Sequence, residues 1–325
     1  MKRVTILMLV SMCLLTACGR RSEPIPSPIS TETPAQVPSI EEAENPEQLF
    51  EIKLTEDGMK NPYGVDINSL GHIYVSDSGK NRVLIFDSMG TLIAKWDKQG
   101  SGEGEFNTKG FGGLAIDAND NIFVVDNANY RIQKFDKGGN FITQWGAKGT
   151  ENSQFVRAIG IAVDVNGNVY VTDDSNPYVQ KFDNDGKFLM RFGGPGDGGG
   201  TFRHATGIAV DLNGNIFVAD YETKFVQKFD TSGSFVTAWM MGGDINVIGT
   251  PEGIAVDAEG NVYITDYDQG RLQVFDNDGN FLWAVGGKAV NSNPFKHPTS
   301  IAFDGASKMY VVNQSTANLT VIELP

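Results

Sequence analysis

Six copies of one unit, four strand-like runs in each copy, and a last copy one strand short predict an all-β, six-bladed β-propeller of four-stranded antiparallel blades. The unit is clearest at residues 160–183, GIAVDVNGNVYVTDDSNPYVQKFD. It returns at 113–136, 207–230 and 253–276, with weaker copies starting at Gly64 and Ser300. Successive starts lie 46 to 49 residues apart, a period that belongs to propellers or solenoids.

Within a unit, GIAVD, NVYVTD, YVQKFD and KFLMRFG are short β-branched or aromatic runs parted by Asn-Gly, Asp-Gly and Gly-Asn turns. Tyr74, Phe123, Tyr170, Phe217, Tyr263 and Tyr310 form a complete aromatic column, and Phe86, Phe135, Phe182, Phe229, Phe275 and Ile322 a second apolar one. Columns of this kind imply sheets stacked face to face around an axis. Each such side chain contributes about 1.5–3 kcal/mol on full burial, before ordering entropy is set against it. The sixth copy ends after its third strand, at Leu324. Leu49-Phe50-Glu51-Ile52-Lys53-Leu54 aligns with Phe141-Ile142-Thr143-Gln144-Trp145, so an N-terminal strand is expected to complete the last blade and close the ring.

Composition narrows function by exclusion. The 325 residues carry a formal charge of -14, which argues against a phosphate-backbone partner, so no nucleic acid is expected. Two cysteines are too few for a disulfide framework or a cysteine-built zinc site. An all-histidine metal site would use all three histidines. No Gly-x-Ser-x-Gly elbow occurs.

The N-terminus reads as an address and a tether. Lys2 and Arg3 precede an apolar run from Val4 to Thr16, too short to span a bilayer and shaped like a secretory signal over residues 1–17. Leu15-Thr16-Ala17-Cys18 resembles a bacterial lipobox, in which Cys18 would carry lipid. Residues 22–48 hold six of the 13 prolines and six glutamates, with no basic or aromatic residue. Residues 18–48 are therefore expected to be a disordered, lipid-anchored tether. An extracytoplasmic monomer at the cell envelope is the expectation, touching the membrane through its anchor alone.

The pattern G-I-A-V-D-x-x-G-N-[IV]-[YF]-V-x-D, an Arg five residues after that Asp, and then F-D-x-x-G-x-F resembles the NHL repeat. The Arg is present as Arg82, Arg131 and Arg271, and is replaced by Tyr178, Phe225 and Asn318 elsewhere. The resemblance covers residues 49–325 and implies a propeller. NHL propellers include binding modules, sensors and a few enzymes, so it leaves function open.

Strand parity places the longest loops, and the segments after Asp77, Asp126, Asp173, Asp220, Asp266 and Asn313, on one face. Function is expected there. Three residues before each repeat start stand Asn61, Gly110, Arg157, His204, Thr250 and His297, at the mouth of the central channel. His204 and His297 occupy equivalent positions two blades apart, as a metal or acid/base pair or simply as polar loop caps. Zinc-dependent amidating lyases are similar propellers, and the resemblance implies histidines just before the glycine. That column here is Tyr63, Gly112, Ile159, Thr206, Glu252 and Thr299, without a histidine. His72 belongs to the opposite face. Asp66 replaces the alanine of the other inner strands, as a weak candidate ligand for a structural Ca²⁺ or a carboxylate solvated by channel water. No other cofactor is expected.

Asp183-Asn184-Asp185-Gly186 and Asp276-Asn277-Asp278-Gly279 lack the ligand set of a calcium loop and read as tight turns. The glycine loop 193–200 lacks the ending of a phosphate loop and reads as flexible. Trp96, Trp145 and Trp239 share an outer-strand column with Phe192, which makes them packing residues. Tyr130, Tyr178, Tyr221 and Tyr267 lie in loop-face segments suited to partner contacts. The expected function is a scaffold presenting one face to a protein, peptide or glycan, with binding candidates Asn61, Tyr63, Arg157, His204, Tyr221, Glu252, Tyr267 and His297. The alternative is a lyase or hydrolase at the mouth using His204, His297 and Glu252, with or without a metal.

Overall fold

A computed structural model describes residues 48–52, 58–107, 112–242, 249–288 and 293–324. Six four-stranded antiparallel sheets follow one another along the chain. Blade three is representative, with strands Ala158–Val163, Val169–Asp173, Tyr178–Phe182 and Phe188–Gly193. The inner strands of blades one to six are Pro62–Ile67, Leu114–Ile116, Ala158–Val163, Ala205–Val210, Pro251–Val256 and Pro298–Phe303. Together they line a channel of about 330 Å³.

In blade six, Gln48–Ile52 pairs antiparallel with Asn318–Glu323 as the outer strand. Its register departs by one residue from the alignment that starts at Leu49. Gln48 lies opposite Ile322 and Ile52 opposite Leu319, as Phe141 lies opposite Phe135 and Trp145 opposite Ile132. Ile52, not Lys53, therefore takes the tryptophan position, because a one-residue slip sends every side chain to the other sheet face. Residues 53 and 54 lie outside the described residues.

The core sits between blades. All twelve side chains of the two repeat columns are at most 5% exposed. Phe123 and Ile132 of blade two share one cluster with Val169, Val171 and Phe182 of blade three. The tryptophans of one outer-strand column pack on the next blade's third-strand phenylalanine: Trp96 on Phe135 at 4.8 Å, Trp145 on Phe182 at 5.8 Å, Trp239 on Phe275 at 5.9 Å. Phe192 does the same with Phe229 at 4.9 Å. These rings are packing residues, as their column implies.

The repeat glycine permits close approach of neighbouring inner strands. A Cβ on Gly160 would stand 2.2 Å from the Thr206 carbonyl oxygen, and one on Gly207 2.2 Å from that of Glu252. A hydroxyl relays across the same seam. The Gly160 N–H donates to Thr172 Oγ1 at 2.9 Å, and that hydroxyl donates to the Thr206 carbonyl at 2.6 Å. Ser76 makes the equivalent relay from Gly64 to Gly112.

Truncation of Phe182 to alanine is expected to cost about 3–5 kcal/mol, read as a shifted denaturant midpoint. Deleting residues 48–52 is expected to lower the melting temperature far more than deleting 22–46, because only the former strips the outer strand from blade six.

Candidate functional site

The mouth is built by a joint repeated in every blade. The second strand ends in Asp77, Asp126, Asp173, Asp220, Asp266 or Asn313, each at most 1% exposed. These side chains accept backbone N–H groups from the segment leading into the inner strand. Asp77 takes Lys60 at 2.7 Å, Asp173 takes Val156 and Arg157 at 2.6 and 2.9 Å, and Asp266 takes Thr250 at 2.9 Å. Asp220 takes Arg203 and His204 at 2.8 and 3.2 Å. Where the repeat arginine is present it pairs with this Asp, at 2.8 Å for Arg82, 2.8 Å for Arg131 and 2.7 Å for Arg271. Where it is replaced, Asp173 and Asp220 each accept two N–H groups of the following loop, Ser175 and Asn176 or Glu222 and Thr223, against the single Gln269 N–H that Asp266 accepts beside Arg271. Blade six carries the neutral Asn313, whose amide donates to Thr320.

Two further columns fix the loops. Met59, Phe106, Phe155, Phe202 and Phe295 are buried just ahead of the inner strands. All but Phe106 stand five residues before a repeat start, which was the signal available for them. The buried Gln133, Gln180 and Gln227 each accept a loop N–H and donate to a loop carbonyl. Gln227 holds Gly200 at 2.8 Å and Thr201 at 2.7 Å, so the glycine loop expected to be flexible is pinned at its C-terminal end.

On this frame three columns meet in blades three to five. They are Arg157 and His204 at the start of the inner strands, Ile159, Thr206 and Glu252 just before the glycine, and Asp174, Tyr221 and Tyr267 just after the repeat Asp. Together they line a cavity of about 240 Å³. The columns are tied by backbone bonds, Tyr221 N–H to the His204 carbonyl at 3.0 Å and Tyr267 N–H to that of Thr250 at 2.9 Å. Asp174 was not anticipated. Its signal was the doubled Asp173-Asp174, an acid where other blades carry Ser78, Asn127, Tyr221, Tyr267 and Gln314.

Glu252 forms the floor. It is 6% exposed, and its Oε1 accepts the Tyr63 hydroxyl across the channel at 2.8 Å. Among the described residues no donor reaches Oε2. Burial pushes its carboxyl up to about 7; Asp174 adds to the rise, while the Tyr63 bond, Arg157 and Lys224 oppose it. Burial, then the charge of Glu252, holds the Tyr63 phenol well above its ordinary value. On the walls, Arg157 Nη1 pairs with Asp174 Oδ2 at 2.9 Å, and His204 Nε2 lies 3.5 Å from Glu222 Oε2. The Lys224 ammonium stands 4.5 Å from the Tyr221 ring centroid, and Tyr267 donates to Gln314 at 2.8 Å.

The remaining candidates fall elsewhere. His297 stacks on Tyr267 with centroids 4.5 Å apart and touches Ser315 Oγ, but does not line the cavity that His204 lines. The two histidines thus have separate partners instead of forming a pair. Asn61 is exposed in the left-handed region, φ 53°, outside that cavity. Tyr130 and Tyr178 meet Lys148 and Arg191 and likewise lie outside it. Gly110 and Cys18 fall outside the described residues. Asp66 lies in the channel wall with both oxygens engaged, Oδ1 by the Ile67 N–H at 2.8 Å and Oδ2 by the Ile116 N–H at 2.7 Å. It joins blade one to blade two, and burial raises it to about 6. Asp183 and Asp276 each accept two N–H groups of their own turns, the tight-turn role expected of them.

The fold and the repeats agree with comparison to known proteins. Residues 59–86 and 249–275 match the NHL repeat, and residues 149–241 match a family described as a 6-bladed beta-propeller. The chain is a six-bladed β-propeller containing NHL repeats. No curated protein sequence matches it. Among solved structures it is similar to a gluconolactonase from Xanthomonas campestris, at 17% identity and a TM-score of 0.62, covering 88% of this chain and 97% of that one. It is similar to virginiamycin B lyase from Staphylococcus aureus at 14% identity and a TM-score of 0.59, covering 85% and 99%. A protein of unknown function from Bacteroides thetaiotaomicron gives 16% identity and 0.64, covering 86% and 73%. Likeness at these identities establishes the fold alone.

Glu252→Gln is expected to change how stability depends on pH. Between about pH 4.5 and 7 the folded protein holds the Glu252 proton more tightly than the unfolded chain does. Its contribution is therefore full at acidic pH and lost as pH rises through 7. Gln keeps an acceptor for Tyr63 and does not titrate. Relative to wild type the variant should gain on the order of 2 kcal/mol between about pH 5 and 8, measured by denaturant unfolding.

Proposed function

We propose that this protein is a lipid-anchored binding scaffold of the cell envelope, which presents the mouth of its propeller to a protein, peptide or glycan partner. The observation that carries this reading is the cavity of about 240 Å³, where ionisable side chains from three blades surround two tyrosines. Tyrosine and arginine are the side chains that anchor partners at interfaces, because they combine apolar area with a polar tip. The N-terminal signal and Cys18 support placement at the outer side of a membrane, and the proline-rich tether would supply reach. Fatty-acid labelling in a bacterial host should mark the wild-type chain and leave Cys18→Ser unmarked.

Screening full-length protein against peptide and glycan arrays tests the mouth itself. Ligands found this way should weaken at least roughly tenfold with Arg157→Ala and with Tyr221→Ala. Lys187→Ala, exposed on the tight-turn face, should leave them unchanged. Ligands indifferent to both mouth substitutions would refute the reading.

The Tyr63–Glu252 bond favours one alternative, a lyase or hydrolase at the same mouth. A buried carboxyl titrating near neutrality and held by a phenol suits general acid/base work. Turnover of an array ligand, lost in Glu252→Gln while binding persists, would select it.

A further inference from the structure

Building on the mouth as the binding site, we propose that Glu252 makes it a receptor for a primary ammonium group, of the kind carried by a lysine side chain. Three observations converge on this chemistry. Glu252 is more than nine-tenths buried, yet Oε2 has no donor among the described residues while the side chain lines an open cavity. The basic side chains around the cavity already have acidic or hydroxyl partners: Arg157 has Asp174, His204 has Glu222, and Lys224 donates to Thr250 Oγ1 at 3.1 Å. Tyr221 and Tyr267 line the same space, Lys224 standing over one ring and His297 stacked on the other, and their apolar ring surface suits the methylene stem of a lysine.

Oε2 opens onto the cavity with no donor among the described residues, so an incoming N–H⁺ group gains a charge-assisted hydrogen bond there, whereas an anion would be repelled. The cavity of about 240 Å³ is of amino-acid side-chain size. The ammonium would donate to Oε2 and stand near the tyrosine rings, while Tyr63 keeps Oε1 fixed from the far side of the channel.

The geometry also sets a pH dependence. The groups facing Glu252 are Tyr63 from blade one, Arg157 and Asp174 from blade three, His204, Tyr221 and Lys224 from blade four, and Tyr267 from its own blade. A lysine ammonium stays protonated across the neutral range. Ionisation of Glu252 on passing pH 7 should therefore tighten binding as pH rises.

The test is calorimetric titration of the full-length protein with Nα-acetyl-lysine amide, the uncharged isostere Nα-acetyl-norleucine amide, and glucosamine. The lysine probe should bind at about pH 8, at least roughly tenfold more tightly than norleucine amide, and weaken about tenfold by pH 5.5. Glu252→Gln should remove both the affinity and its pH dependence. His204→Gln should keep most of the pH dependence. Glucosamine binding as tightly as the lysine probe, with the same loss in Glu252→Gln, would support the ammonium chemistry and assign it to an amino sugar. Equal affinity for norleucine amide, or a Glu252→Gln variant that retains full affinity for the lysine probe, would overturn the proposal. If array ligands bind the mouth in an Arg157- and Tyr221-dependent way while the ammonium probes do not, this inference fails and the scaffold reading stands. If neither class binds there, both fail.

Discussion

The structure depends on one joint, the buried Asp or Asn that ends each second strand and accepts the backbone N–H groups of the incoming inner strand. Buried polar groups persist only when hydrogen-bonded, so each of these side chains and the strand it receives require one another. That requirement explains the departures from the repeat pattern. Arginine pairs with the acid in three blades, loop N–H groups replace it around Asp173 and Asp220, and Asn313 removes the charge where the arginine position is Asn318. The apparent irregularities are three ways of satisfying one buried acceptor.

From this joint the mouth follows. With its backbone fixed by Asp220, His204 is exposed at the loop face, and Arg157 stands equivalently over Asp173. In blades three to six the residue after this Asp or Asn then bonds back to the same strand start, which sets Tyr221 and Tyr267 beside them. A rigid repeated frame thereby allows three adjacent blades to differ freely at the columns that face the cavity. Glu252 is the sharpest such difference, the one carboxylate in a column otherwise made of Tyr63, Gly112, Ile159, Thr206 and Thr299.

The fold was legible because period, strand pattern and core columns are local and repeated six times. The one-residue error at the outer strand of blade six has a physical source. Ile52 fills the tryptophan position with a smaller side chain, so no aromatic marks the register. Five of the mouth candidates, Arg157, His204, Tyr221, Glu252 and Tyr267, do share a cavity, because column position predicts height along the channel. Which neighbours meet is decided by side-chain reach across blades, and column position alone does not carry that. Hence His297 turned toward Tyr267 and Ser315, Asp66 found two backbone N–H groups, and Asp174 went unnoticed. The glutamines that pin the loops were hidden for the same reason, since their partners lie 26 to 29 residues away in sequence.

Native-state hydrogen exchange at the amides of Lys60, Arg157, His204 and Thr250 tests the joint most directly. These N–H groups precede or begin the inner strands, and a loop without the buried acceptors would leave them open to solvent. The account requires them to exchange only with large-scale unfolding, as slowly as the strand amides of Val169–Asp173. Exchange at the rate of exposed loop amides would contradict it.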